Sequence, residues 1–234
     1  MPNFLSLQRI LVCQGAEYKA VCRGLCRASG YTPETTSIPV GIKAVTTYLR
    51  TYLETEQFLN HPQPRMLVMG LCGALSPKYR TGDIVLYQGC VNQATGAASV
   101  LNCDQTLTEL VYSRLQDKVS IVNALTSDRI ICSAAEKCHL HQISGSDVVD
   151  MEGFAALEIL SQAGVAVAML RVVSDDCYHD IPDLPSALSP DGSLQPLPLA
   201  MTMLRQPIAA TRLIRGSLQG LQVLEKVTTQ LFTN

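Results

Sequence analysis

Apolar residues in this chain fall into short dense runs, separated by amphipathic stretches and turn signals. Arg9-Ile10-Leu11-Val12-Cys13 reads as a first buried strand, and Gln14-Gly15-Ala16-Glu17 turns into a helix running to about Ala28. Ser29-Gly30-Tyr31-Thr32-Pro33 reads as a loop. Ile38-Pro39-Val40-Gly41-Ile42 then leads into a helix from Lys43 to about Leu59. His61-Pro62-Gln63-Pro64 breaks the chain, because proline cannot continue a helix. Arg65-Met66-Leu67-Val68-Met69 is the next buried strand. It runs into Gly70-Leu71-Cys72-Gly73-Ala74-Leu75, read as a loop whose two glycines let a ligand approach the backbone. No Gly-Lys-Ser/Thr follows and the dinucleotide fingerprint is absent, so this loop is neither a P-loop nor a Rossmann turn.

A turn-rich link, Ser76 to Asp83, precedes a strand over Ile84-Val85-Leu86-Tyr87-Gln88, which Cys90-Val91-Asn92 extends. Asn102 to Leu115 reads as a helix with Asp104 as N-cap, and Val119 to Ala124 as a strand. The short apolar Ile130-Ile131-Cys132-Ser133 comes before a helix around Ala134 to Leu140. Val148-Val149-Asp150-Met151-Glu152-Gly153 then sets two carboxylates at a strand-to-helix junction. A helix over Phe154 to Leu160 is closed by Gly164, and a strand from Val165 to Val173 ends in Ser174-Asp175-Asp176. That order reads as a βαβ-like unit. Ligands of open α/β sheets sit outside the carboxyl ends of strands, which makes Glu152 and Asp175 the candidate chemical centre.

The tail has a different pattern. Asp180-Ile181-Pro182-Asp183-Leu184-Pro185 and Ser189-Pro190-Asp191-Gly192 are turn signals. A helix over Leu197 to Leu204 stops near Pro207, and a second runs from about Ile208 to Phe232. Strands crowd the middle of the chain and helices begin, interrupt and end it, so the class is a layered α/β domain.

Composition narrows the function. The chain has 234 residues, 47% of them hydrophobic and 16% charged, enough for a real core. A net charge of −2 with no tryptophan leaves no electrostatic footprint for nucleic acid. No apolar run reaches a membrane-spanning length, and the first residues lack the basic start and long apolar core of a signal peptide. The expectation is a cytoplasmic protein. Nine scattered cysteines argue for free thiols rather than a disulfide framework. Cys22 and Cys26 lie one helical turn apart with no second pair. Cys138-His139-Leu140-His141 is the densest possible ligand cluster, and its plainer reading is a solvated helix end.

Val-Asp-Met-Glu-Gly, then about twenty residues, then Arg-Val-Val-Ser-Asp, resembles the paired signature of the nucleoside phosphorylase and nucleosidase superfamily. That superfamily includes purine nucleoside phosphorylase, uridine phosphorylase and methylthioadenosine/S-adenosylhomocysteine nucleosidase. Gly70 to Leu75 followed by Gly82-Asp83-Ile84-Val85 is similar to its glycine loop and next strand. Gly15-Ala16 and Gly41-Ile42 resemble two further glycine segments, so the likeness covers most of residues 9 to 176. Leu184-Pro185-Ser186-Ala187-Leu188, Asp191-Gly192 and Leu204-Arg205-Gln206-Pro207 resemble the tail of the hopanoid-associated phosphorylases.

The resemblance implies a single three-layer domain over residues 1–234, with a central mixed β-sheet flanked by helices and residues 177–234 as a loop-plus-helix extension. It implies cleavage of an N-glycosidic bond in a purine nucleoside, most simply a 5′-modified adenosine. No metal or organic cofactor is implied, and the family habit is a homodimer or larger homo-oligomer. Asp175 matches the acid that protonates or hydrogen-bonds N7 of the base, with Ser174 orienting it. An Asp rather than an Asn there tilts towards 6-aminopurines. Glu152 matches the carboxylate that binds the ribose hydroxyls, and Met151 the sugar-facing residue. Gly70, Leu71, Cys72 and Gly73 match the glycine loop, and Ile130 and Ile131 fall in the purine-contacting segment. Family phosphorylases use an Arg before the glycine loop and a Ser or Thr within it on phosphate, and this chain has Val68 and Leu71 there. That departure favours hydrolysis, unless Lys19, Arg23 or another subunit's Arg compensates. Glu17 is the acid of the first loop, placed sooner after Gly15-Ala16 than the water-activating Glu of the nucleosidases.

Plainer readings remain beside these. Glu17 complements a helix dipole, Asp150 and Glu152 cap the following helix, and Asp175 and Asp176 are solvated loop carboxylates. The competing functions are a phosphorylase on the same bond, including one acting on a hopanoid nucleoside, and a nucleoside-binding protein without catalysis. A flavodoxin-like module is a further competitor.

Overall fold

Arg65–Ala74 is the strand on which the sheet is built, because it pairs along both of its edges and its apolar side chains enter two cores. The computed structural model describes residues 7–60, 64–94, 100–184 and 196–233. In chain order the first elements are β1 (Arg9–Cys13), α1 (Ala16–Arg27), β2 (Glu34–Ile38), α2 (Ile42–Leu53) and α3 (Glu56–Leu59). Next come β3 (Arg65–Ala74), β4 (Ile84–Asn92), β5 (Val100–Asn102), α4 (Gln105–Leu115) and β6 (Val119–Thr126). Then follow α5 (Ala134–Ser144), β7 (Val148–Asp150), α6 (Gly153–Gln162), β8 (Ala166–Asp175), α7 (Pro196–Arg205) and α8 (Pro207–Phe232).

The pairings close on themselves. β3 pairs with β8, β8 with β4, β4 with β6, β6 with β7, and β7 with the end of β3. β2 and β1 extend the sheet from β3, and β5 from β4. β1, β2, β3 and β8 run one way. β4, β6 and β7 run the other, so the sheet is mixed.

Side chains alternate across the strands, as their period of two requires. Leu11, Met66, Val68, Val167 and Met169 enter one core, closed by α2 and α6; Ile10, Val12, Leu67, Met69 and Leu170 enter the other, closed by α1, α4 and α8. Burial on both faces is why these strands read as unbroken apolar runs.

The structure corrects several expectations. β2 is a strand that the apolar pattern does not predict: Glu34-Thr35-Thr36-Ser37 is polar because the strand lies at the sheet's edge. β5 is a three-residue edge strand that takes in Asn102, expected as the start of the helix, which begins instead at Gln105. The helix expected over Lys43 to Leu59 divides at Thr55, whose backbone is extended and whose carbonyl accepts from Phe58 and Leu59 N–H. The glycine stretch is not a loop, since β3 continues to Ala74. β7-α6-β8 is not a parallel unit: β7 lies antiparallel to β3 at its far end, whereas β8 runs parallel to it. Residues 185–195, which carry most of the tail's turn signals and family likeness, lie outside the described residues, as do His61, Pro62 and Gln63. Among the described residues no helix is long and apolar enough to cross a membrane.

α8 is brought to the end of β8 by two glycines. A Cβ on Gly216 would overlap the carbonyl oxygen of Ser174, and one on Gly220 would stand 3.0 Å from Leu71 Cδ2. The first obstacle is backbone and cannot rotate away. Gly216→Ala is therefore expected to destabilise the fold by about 1–3 kcal/mol, as overpacking does. Denaturant unfolding checks this, and an unchanged midpoint would show that α8 is free to shift.

Candidate active site

The ends of β3, β7 and β8 and the first turn of α1 enclose a cavity of about 250 Å³. Glu17, Leu71, Cys72 and Gly73 line it from one part of the chain, and Met151, Glu152, Ser174 and Asp175 from another. Ile130 and Ile131 line it from the segment before α5. Gly70 is the one sequence-expected site residue that does not reach the cavity. A Cβ there would overlap Arg171 Nη1 and Glu17 Oε2. What comes close to this backbone is thus the protein's own charged side chains, and glycine is required to admit them.

Glu17 stands in the first turn of α1, two residues after Gly15, whose φ of 100° turns the chain out of β1. Its Oε2 accepts the Leu71 N–H at 2.9 Å. Burial raises the Glu17 carboxyl above its ordinary range, against the opposing pull of Arg171 and the Leu71 N–H. The early position of Glu17 after Gly15-Ala16 does not keep it from the site.

Glu152 is only 5% exposed. It does not cap its own helix but reaches across to accept the Gly41 N–H at 2.8 Å, at the start of α2. Asp150 is the carboxylate that serves α6: its Oδ1 accepts from the Gly153 N–H at 3.1 Å and from the Thr126 hydroxyl at 2.8 Å. Burial and the neighbouring Asp150 push the Glu152 carboxyl up to about 7.

That shift predicts a pH dependence of stability. Between the ordinary value of 4.5 and about 7, the folded chain keeps a proton on Glu152 that the unfolded chain has released. Stability is thus full below the first value and falls as pH rises through the second, by an amount on the order of 3 kcal/mol. Glu17 shifts in the same direction and adds to the slope. The unfolding midpoint is expected to drop between pH 5 and pH 8, and Glu152→Gln to flatten that drop. A midpoint that climbs over this range would contradict the assignment.

Two cations that the sequence reading assigned no role organise the site. Arg171 is fully buried on β8, at the register of Gly70. Its Nη1 donates to the Met69 carbonyl at 3.3 Å, and its Nη2 lies 3.6 Å from Asp150 Oδ2, an ion pair longer than a hydrogen bond. Among the described residues, Nε and Nη2 have no hydrogen-bond partner. Burial disfavours the guanidinium charge, but Asp150 and Glu152 outweigh it and hold the group protonated. Lys137, on α5, is 0% exposed; its ammonium binds Asp175 Oδ2 and donates to the Asp176 carbonyl at 2.8 Å. The Ser174 hydroxyl donates to Asp175 Oδ1 at 2.7 Å and lies 3.2 Å from the Cys72 carbonyl. Gly73 makes room for this arrangement, since a Cβ there would stand 2.9 Å from Asp175 Oδ2.

Arg171 was within the quoted motif, and its position inside an apolar strand was the signal to follow. Lys137 offered none, because a lysine on a short helix is ordinarily solvated. Cysteine chemistry is absent from the arrangement: burial raises the thiols of Cys13 and Cys72 above their ordinary range, and all nine cysteines are free. Among the described residues no cluster of His, Cys, Asp or Glu is placed to hold a metal ion. His141 Nδ1 instead lies 2.7 Å from the Ser146 carbonyl.

Solved structures share this fold. Futalosine hydrolase of Helicobacter pylori is 13% identical, with a TM-score of 0.70 over 96% of this chain and 97% of that one. The 5′-methylthioadenosine/S-adenosyl homocysteine nucleosidase of Campylobacter jejuni is 16% identical, with a TM-score of 0.61 over 94% and 99%. A putative nucleosidase of the same kind from Francisella philomiragia is 13% identical, with a TM-score of 0.67 over 97% and 98%. At these identities the likeness is one of fold. No curated protein matches the sequence. The phosphorylase superfamily profile matches residues 49–187, more than half of the chain, and the chain therefore belongs to the phosphorylase superfamily.

Proposed function

We propose that this protein hydrolyses the N-glycosidic bond of a purine nucleoside, with 5′-modified adenosines as its preferred class. One observation carries the reading: a carboxyl raised by burial, Glu17, and a serine-bound carboxylate, Asp175, face the same cavity with Glu152 beside them. Glu17 is held at Leu71 and Asp175 lies beside Gly73, two residues further along β3, roughly 7 Å of strand. Glycoside hydrolysis by inversion needs acid and base separated enough to admit both the sugar and a water.

The roles follow from position and chemistry. Glu17 takes a proton from the attacking water, and a raised carboxyl is a stronger base for that step. Arg171, whose Nη1 shares the space over Gly70 with Glu17 Oε2, stands behind Glu17 and outside the cavity lining, and its charge opposes the rise of that carboxyl. Glu152 accepts from the ribose hydroxyls, and Met151 packs on the sugar. Asp175 and Ser174 serve N7 of the departing base, which lies against Ile130 and Ile131. Val40, Ile181, Leu184 and Leu213 complete an apolar lining that suits an uncharged 5′ substituent.

Water is favoured over phosphate for two reasons. Val68, at the position where related phosphorylases carry Arg, is buried in the core, and Leu71 offers only its amide, already bound by Glu17. Arg23, a possible substitute, is paired with Glu225 at 2.7 Å. A phosphate dianion needs cations and donors; here it would meet Glu17 and Glu152, and the Arg129 guanidinium of the lining is already paired with Glu136.

Base release followed by chromatography tests the proposal, using adenosine, methylthioadenosine, S-adenosylhomocysteine and inosine, each with and without phosphate. Adenine release without phosphate is the expected result. Strict dependence on phosphate would make the protein a phosphorylase, and the tail's resemblance adds a hopanoid nucleoside as the next substrate. Tight binding with no release from any of these would leave a nucleoside-binding protein.

A further inference from the structure

A departing purine must collect a proton, and the geometry around Asp175 bears on where that proton is stored. Both carboxylate oxygens of Asp175 are already held, Oδ1 by the Ser174 hydroxyl and Oδ2 by the Lys137 ammonium. An ammonium against a carboxylate stabilises the ionised pair. In that pair the transferable proton belongs to Lys137. The Lys137 side chain is 0% exposed, while that of Asp175 is 15% exposed and lines the cavity, so Lys137 faces the substrate only through Asp175.

A structural role alone explains the pair poorly. Burying a lysine costs several kcal/mol of desolvation, and apolar replacements of buried ion pairs are often neutral or stabilising. The same helix could have sent an apolar side chain into this space, as it does with Leu140.

We propose that Lys137 is the positioning residue of the leaving-group side, holding Asp175 in place and delivering through it the proton that the base takes away. This rests on the glycosidic-cleavage reading above. As the C1′–N9 bond breaks, its electron pair stays with the base. N7 takes a proton from Asp175, which takes one from Lys137 Nζ, leaving a neutral amine. The water oxygen bonds C1′ and gives its proton to Glu17. After the products leave, cavity water returns a proton to Lys137 by way of Asp175, and Glu17 releases its own to solvent. The sum is nucleoside plus water giving free base plus sugar.

The test compares two substrates. Adenosine (or the best nucleoside found above) needs a proton on its leaving base. A 4-nitrophenyl riboside does not, because nitrophenolate departs as a stable anion. Lys137→Met is expected to lower kcat for the nucleoside by roughly 10²–10⁴-fold, the range of general acid catalysis, with KM little changed. Its release of nitrophenolate should fall by less than about tenfold. Lys137→Arg keeps a cation on Asp175 but is too weak an acid to give up a proton. It should therefore show the same selective loss, and it decides the matter if Lys137→Met fails to fold. Equal losses on both substrates in Lys137→Arg, or normal nucleoside turnover in that variant, would overturn the proposal. Wild-type protein that cleaves neither substrate would instead overturn the glycosidic-cleavage reading itself.

Discussion

Glu17→Gln is expected to lower base release by about 10²–10⁴-fold in kcat while leaving KM and the fold nearly unchanged. The reason lies in what the amide keeps and what it loses. Its oxygen still accepts the Leu71 N–H, the bond that fixes the side chain beside β3. It has no basic lone pair with which to take a proton from water. The carboxyl is raised by burial in the folded chain, so ionising it there costs free energy. A neutral amide escapes that cost, and the variant should unfold at the same or a higher temperature at pH 8. Loss of activity with gained stability is the signature of a group kept for chemistry. Full activity in Glu17→Gln would remove Glu17 from the mechanism. Lost activity together with lost stability would make it a structural residue of the α1 start.

The largest expected effect on stability comes from Arg171→Met. The guanidinium is fully buried among Asp150, Glu17 and Glu152, and it is the cation that, with the Leu71 and Gly41 N–H groups, opposes the rise of the two glutamates. Methionine fills much of the same volume but leaves those carboxylates without a cation. Breaking a buried ionic cluster from one side costs about 3–5 kcal/mol, a large share of a domain's total stability. Without Arg171 the Glu17 and Glu152 carboxyls rise further, so the folded chain holds their protons to a higher pH. The deficit should therefore shrink as pH falls and the carboxyls neutralise, and be largest above pH 7. Unfolding curves at pH 5 and pH 8 measure both. A deficit equal at the two pH values would mean that Arg171 acts by packing and its Met69 hydrogen bond, not by charge.

What could be read beforehand followed burial. β1, β4, β8 and the first half of β3 lie between two helical layers, so each appears as an apolar run with its ends marked by turns. β2 could not be read that way. Its Thr-rich stretch pairs with β1 on one side only, and nothing in its pattern separates it from loop. β5 exists because Val100–Asn102 meets the end of β4, a contact with no local signal. The same division runs through the site. Glu17, Glu152 and Asp175 stand at strand ends or a helix start, where sequence position itself suggests exposure to a ligand. Their partners are distant: Gly41 lies 111 residues from Glu152, and Lys137 lies 38 from Asp175.

The amino-acid order alone determined that the chain builds a layered α/β domain, and which carboxylates stand at strand ends. Apolar periodicity and turn residues are local properties, and they act before any long-range contact forms. Only the tertiary structure decided what those carboxylates face. The strands close from β3 through β8, β4, β6 and β7 back to β3. That closure brings Arg171 against Gly70 and buries Lys137 against Asp175. The charge and proton affinity of a buried group depend on what surrounds it in space, and no window of sequence contains that information.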